Sequence, residues 1–316
     1  PWPWQEANWQ QVMRLVGQGN LPHALMLAGL EGTGLRAFGS QVAQLLLCLQ
    51  PLAHGACGHC ASCALVRAGT HPDFRELEVQ GSGAAIKVDA VRDLVGFSQE
   101  TAQQGGYRIA LLCPAEAMNL NAANSLLKTL EEPGDRTLLI LVSFASSAVL
   151  PTVRSRCQIL PMAAPQPAES RAWLQQHLQS AEGLDLLHEM APQQPLAALR
   201  LEADLEQLQG AAEALVSLSA GRGQPLKIAA DWMSVDTLSL LTWLYQWISG
   251  ACLAAEQPIG PGVASRILQS WTSRSPVAGL FDVLDELVLL RRQWLSGANP
   301  NRQLMLERIA LLLHKG

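Results

Sequence analysis

Three short apolar runs constrain this fold more than anything else in the chain: "ALMLAG" (24–29), "YRIALLC" (107–113) and "TLLILVS" (137–143). Each has the length of a strand, and each is too evenly apolar to leave one face in water. Segments with helical periodicity lie between them. "LRAFGSQVAQLLLCL" (35–49) reads as a helix that stops before Pro51, and "VDAVRDLVGFSQETA" (88–102) as one with Asp89 at its N-cap. In "NAANSLLKTLEEPG" (121–134), Ala123, Leu126, Leu127 and Leu130 follow the i, i+3, i+4, i+7 pattern; Asn121 can cap the start, and Pro133-Gly134 ends it. "FRELEV" (74–79) and "QILPM" (158–162) add two further strand candidates. Strands alternating with helices predict a mostly parallel sheet covered on both faces.

The pattern changes at "PMAAPQPAES" (161–170), where Pro and Ala mark a domain edge. Helical segments follow, over about 168–180 and 182–190, then 234–258, 279–297 and 300–316, and no strand alternation is evident after 205. Segment 234–258 is apolar almost all round, which suits the inside of a bundle. The expected organisation is therefore an α/β domain over 1–162, a small helical domain over 163–204 and a helical domain over 205–316.

The 316 residues are 49% hydrophobic and 16% charged, enough for large cores and unlike a disordered tail. The formal net charge of −5 is unlike that of a strongly basic nucleic-acid binder. No signal peptide is visible in "PWPWQEANWQ", and the expectation is a soluble cytoplasmic protein.

Seven cysteines occur, and Cys48, Cys57, Cys60 and Cys63 fall within sixteen residues, in "CLQPLAHGACGHCASC". Four thiolates around a tight turn supply the tetrahedral shell that zinc requires, and a closed four-thiolate shell is structural rather than catalytic. The alternative is a set of reduced free thiols in a loop. Cys113, Cys157 and Cys252 read as core or incidental residues.

"GLEGTGLR" (29–36) follows the first strand and opens a helix, the context of a phosphate-binding loop, G-x-x-x-x-G-K-[ST]. Gly29 and Gly34 hold the glycine places. Leu35 stands where the lysine belongs and Arg36 where the magnesium-binding hydroxyl belongs; a guanidinium has no acceptor atom and cannot replace it. After the second strand, Pro114 and Ala115 stand where acids would hold magnesium, and Glu116 is out of register. No productive ATP binding and no intrinsic ATPase activity are expected.

"LPHALMLAG", the cysteine cluster, "GTHPDF" (69–74), "AANSLLKTLEEP" (122–133) and "SRC" (155–157) occur here in one order. In these motifs the chain resembles the clamp-loader subunits of bacterial DNA polymerase III, most closely the delta-prime subunits and next the gamma/tau subunits. The resemblance is strong over about 8–160 and loose beyond; the departures at Leu35, Arg36, Pro114 and Ala115 favour delta-prime over gamma/tau. It implies an AAA+ module, a small helical lid and a helical collar. It also implies a hetero-pentamer with gamma/tau and delta subunits that opens the sliding clamp and places it on primer–template DNA. By that resemblance Arg156 is an arginine finger for a neighbour's ATP site, with Arg154 nearby. Ser143 stands at a sensor position but reads better as a capping or turn residue. Lys128 reads as solvated or paired with Glu131 or Glu132, and His71 and Asp73 read as part of a turn stabilised by Asp. Trp232, Trp243 and Trp247 read as core or subunit contacts. The alternatives are an active gamma/tau-type ATPase and a free-standing zinc protein that binds nucleic acid.

Overall fold

The computed structural model describes residues 1–79, 85–104, 106–257, 260–298 and 300–315, and the chain divides into two compact units, Pro1–Gln166 and Pro167–Gly316. In the first unit the elements run α1 (Glu6–Gly17), β1 (Ala24–Ala28), α2 (Leu35–Leu47), α3 (Ala61–Arg67), β2 (Phe74–Glu78), α4 (Val88–Gln99), β3 (Arg108–Cys113), α5 (Leu120–Glu131), β4 (Thr137–Ser143), α6 (Pro151–Arg154) and β5 (Gln158–Pro161). The five strands form one all-parallel sheet in the order β2-β3-β4-β1-β5. Helices α1, α3 and α6 were not among the elements expected from sequence.

The evenly apolar strands are explained by burial on both faces. Successive side chains of a strand point to opposite sides. On one side Leu25, Leu27, Ile109, Leu111, Leu138 and Ile140 pack with Phe38 and Val42 of α2. On the other Met26, Ala110, Leu112, Leu139 and Leu141 pack with α4 and α5 through Val91, Leu94, Ala123 and Leu126. Gly39 lets α2 lie close to the sheet: a Cβ there would stand 2.8 Å from Leu111 Cδ1.

Two caps differ from expectation. The N-cap of α5 is Asn119, whose side chain accepts from the Ala122 amide, and Asn121 lies inside the helix. Lys87 precedes α4 without a side-chain cap; Asp89 sits in the first turn, where its charge suits the helix dipole, and meets Arg92 at 3.4 Å.

The second unit is helical throughout its described residues: α7 (Pro167–His177), α8 (Leu184–Met190), α9 (Pro195–Arg200), α10 (Leu205–Ser219), α11 (Pro225–Trp232), α12 (Thr237–Glu256), α13 (Val263–Thr272), α14 (Ala278–Leu295) and α15 (Arg302–Lys315). Helix α12 is long and apolar enough, by length and composition, to cross a membrane. Its Leu240, Leu244, Trp247 and Ile248 are buried in the bundle, where it packs on α13 and α14. Trp232 and Trp243 are also buried in this core. Glu189 of α8 accepts from the Val263 and Ala264 amides, so a short helix of the early part caps α13 of the later part.

Candidate functional sites

The glycine loop leaves β1 at the carboxyl edge of the sheet, between β4 and β5, the place where open α/β sheets bind ligands. Gly29 donates to the Ser143 carbonyl at 3.1 Å, and Gly34, with φ of +89°, turns the chain into α2. Gly29 is fixed by crowding, since a Cβ there would lie 2.6 Å from the Met162 carbonyl oxygen.

The N-terminal segment is tied to the backbone of this loop. The Thr33 carbonyl accepts from Trp4 Nε1 and from Gln5 Nε2, both at 2.9 Å, and all three residues are buried. Leu35 is buried in the core between α2 and the sheet, where a phosphate-binding lysine could not keep its charge. Arg36 turns to the edge strand: its Nε lies 2.5 Å from Glu76 and its Nη2 3.1 Å from Glu78. Two carboxylates of β2 therefore hold the cation that stands in place of the hydroxyl.

At the end of β3, burial pushes the Cys113 thiol up to about 12, so it stays neutral. Glu116 is engaged with backbone through one carboxylate oxygen. Its Oε1 accepts from the Phe144 and Ala145 amides, at 2.9 and 3.1 Å, and so clamps the segment that follows β4. Ser143 is fully buried and its hydroxyl has no partner among the described residues; the expected capping or turn role is not what its side chain does.

The cysteines converge as their spacing implies. The Sγ atoms of Cys48, Cys57, Cys60 and Cys63 all lie within 4.8 Å of one another, with Cys48–Cys60 and Cys57–Cys63 at 4.0 Å. A tetrahedral shell with zinc–sulfur bonds of about 2.3 Å sets its sulfurs roughly 3.8 Å apart, so all the pairs are within about 1 Å of that spacing. Amide hydrogens of Cys57, Cys60 and Cys63 point at the sulfurs of Cys48, Cys57 and Cys60, at 3.3, 3.4 and 3.4 Å. Such N–H···S bonds stabilise thiolate charge. The Cys63 and Leu49 amides hold the Cys60 thiol down at about 6, whereas burial pushes Cys63 up to about 12. The donor set is that of a metal site, and these four sulfurs could hold a metal ion.

His71 and Asp73 are structural. Ser62, next to Cys63, donates to the Leu47 carbonyl and meets His71 Nε2 at 3.0 Å, while His71 Nδ1 accepts from the Asp73 amide. The buried Asp73 carboxylate accepts from the Gln103 and Gln104 amides and meets Arg108, so it braces a turn thirty residues away rather than its own.

Arg156 stands in the link between α6 and β5, with 37% of its side chain exposed. It donates from Nε to Glu131 Oε1 at 2.9 Å and from Nη1 to the Thr152 carbonyl at 3.0 Å. Its neighbour Arg154 reaches the Ser146 carbonyl at 3.4 Å. Lys128 is exposed and makes no ion pair among the described residues; Glu131, one of its two expected partners, binds Arg156 instead.

Comparison with known proteins decides the family. A profile described as "DNA polymerase III, delta subunit" matches residues 4–166, and one described as "DNA polymerase III, delta subunit, C terminal" matches 202–315. The chain is 40% identical to DNA polymerase III subunit delta' of Pseudomonas aeruginosa, over 97% of this chain and 95% of that protein. The chain belongs to the delta-prime family of DNA polymerase III. The delta-prime subunit of Escherichia coli is 29% identical, over 98% of this chain and 94% of its own length. In fold, the chain is similar to a DNA polymerase III gamma subunit-related protein of Thermotoga maritima, with a TM-score of 0.55 and 18% identity, covering 97% of this chain and 98% of that one.

Three features of this delta-prime family member were not legible in its sequence: the bonds from Trp4 and Gln5 to Thr33, the Glu116 clamp and the Glu131–Arg156 pair. Each joins residues 25 to 29 positions apart, and no periodicity links them.

Proposed function

We propose that this chain is the non-hydrolysing delta-prime subunit of a clamp loader, which helps place the sliding clamp on primed DNA. Its partners would be gamma/tau and delta subunits in a hetero-pentamer, acting in the cytoplasm, with clamp and primer–template DNA reached through the complex. In this reading the chain lends Arg156 to a neighbour's ATP site and hydrolyses nothing itself. The observation that carries the reading is the altered start of α2: Leu35 is buried in the core where the lysine would stand, and Arg36 is held by Glu76 and Glu78 where a magnesium-binding hydroxyl would stand. The exposed guanidinium of Arg156 supports the second half, because delocalised charge presented across an interface stabilises a transferring γ-phosphate.

Zinc is the proposed metal of the four-cysteine site, held by Cys48, Cys57, Cys60 and Cys63 as a folding staple. Assembly through the second unit is supported by an exposed apolar stripe: Phe281, Val288 and Leu295 recur every seven residues on α14, and Leu304 and Leu311 do so on α15. Stripes of this kind mark protein contacts.

Two measurements test the reading. Titration of ATP with magnesium against the isolated chain should give no turnover; micromolar binding with hydrolysis would sink it. In a reconstituted loader, Arg156→Ala should lower ATPase activity by about 10³-fold at the site it serves. An unchanged rate in a fully assembled complex would remove the arginine's role.

A further inference from the structure

We propose that Glu131 is the positioning residue for Arg156, orienting its guanidinium for a phosphate that arrives from outside the chain. The inference rests on the trans role of Arg156 proposed above. Arginine has five N–H donors in a rigid planar fork. Here Nε donates to Glu131 Oε1 and one Nη1 hydrogen to the Thr152 carbonyl, while Nη2 lies 2.5 Å from the same Glu131 oxygen as an ion pair. One N–H on each terminal nitrogen is left without a partner among the described residues, and a phosphate takes two such groups together.

The two anchors come from different elements. Thr152 lies in α6, four residues before Arg156, so its carbonyl holds the side chain to its own turn. Glu131 closes α5, twenty-five residues earlier, and fixes the rotation of the guanidinium plane. Both partners of the ion pair are substantially exposed, at 37% and 52% of their side chains, so its contribution to stability is small. Its consequence is orientation: a long, flexible side chain at a surface is held in one geometry before its target is met, and misplacement by about 1 Å can cost a catalytic group up to roughly a hundredfold.

The test is steady-state ATPase activity of the reconstituted loader with clamp and primed DNA, measured across ATP concentrations. Glu131→Ala should lower kcat about tenfold, with KM for ATP within about twofold. Glu131→Gln should keep at least about half of the rate, because its amide oxygen still accepts from Nε. Glu131→Asp keeps the charge but is one methylene too short, and should fall nearly as far as alanine. The double variant Glu131→Ala/Arg156→Ala should be no slower than Arg156→Ala alone, since one residue acts only through the other. A wild-type or raised rate for Glu131→Ala, or an additive loss in the double variant, overturns the proposal while leaving Arg156 in place. If Arg156→Ala is itself silent, both the arginine's role and this inference fall. Thermal unfolding and gel filtration of each variant complete the test: a fall in rate matched by a loss of assembly in Glu131→Asp and Glu131→Ala alike would make Glu131 a structural residue.

Discussion

Gly29 opens the loop between β1 and α2, and the structure assigns it a packing duty. Replacing it by alanine sets a Cβ 2.6 Å from the Met162 carbonyl oxygen and 3.1 Å from Met162 Cβ. The first contact is with backbone, so no side chain can rotate away; β1 and the segment after β5 must part. Overpacking of this kind costs about 1–3 kcal/mol. The same displacement strains the Met162 N–H···O=C Ala28 bond at 2.8 Å and the Gly29 N–H···O=C Ser143 bond at 3.1 Å, each with a net worth of about 0.5–1.5 kcal/mol. A loss of roughly 2–4 kcal/mol follows for Gly29→Ala. Gly96 is the control. It sits exposed inside α4 with nothing within 4 Å of a built Cβ, and Gly96→Ala should stabilise by about 0.5–1 kcal/mol. Because the chain has two units, the assay is a urea titration of the whole protein read by hydrogen-exchange protection of peptides from β1 and β4. With an m-value of about 2 kcal/mol/M, the midpoint should fall by roughly 1–2 M for Gly29→Ala and rise slightly for Gly96→Ala. A shift under about 0.2 M for Gly29→Ala would refute the packing argument.

Further outcomes follow from the same geometry. Metal analysis of the purified chain should give about one zinc per molecule, and a hundredfold excess of zinc over its dissociation constant should stabilise the first unit by about 2.7 kcal/mol relative to chelated protein; four free thiols with no bound metal would contradict this. Burial lowers the His71 pKa, so the imidazole stays neutral in the fold and the unfolded chain binds the extra proton; stability should fall as pH drops below about 6.5, by up to about 1.4 kcal/mol per pH unit. Urea titrations at pH 7.5 and 5.5 should show a smaller pH dependence for His71→Gln than for the wild type; an equal slope would assign the effect elsewhere. Asp73→Ala leaves the buried Arg108 with Glu100 as its one remaining carboxylate partner among the described residues and frees two amides, and should cost about 3–5 kcal/mol by chemical denaturation.

What the sequence made legible was what repeats or clusters. The three central strands were readable because burial on both faces forces evenly apolar runs, whereas the edge strands β2 and β5, partly exposed, showed only as short or alternating segments; the cysteine cluster was readable because its four residues sit within sixteen positions. The cap of α5 was misplaced by two positions because "NLNAAN" offers several asparagines, and only the bond from Ala122 to Asn119 selects one. Arg36 was readable as a missing hydroxyl, but its attachment to β2 was not, since forty residues separate Arg36 from Glu76. Glu116 looked like a displaced acid; its true partners, two backbone amides, carry no side-chain signature at all.

The parallel sheet gives the first unit two unlike ends. Helix α5 starts beside the carboxyl edge, where the glycine loop lies, and its twelve residues carry Glu131 about 18 Å away. Gln158, two residues after Arg156, pairs with Leu25 near the start of β1, so the arginine belongs to the opposite edge. On the proposed reading, related modules therefore associate head to tail, one offering an arginine where the next holds a nucleotide. Head-to-tail contacts have direction, unlike the two-fold contacts of a symmetric dimer. On that reading a module that lacks the lysine and hydroxyl of a nucleotide loop would give without receiving, and so would terminate such a row and fix where the row begins.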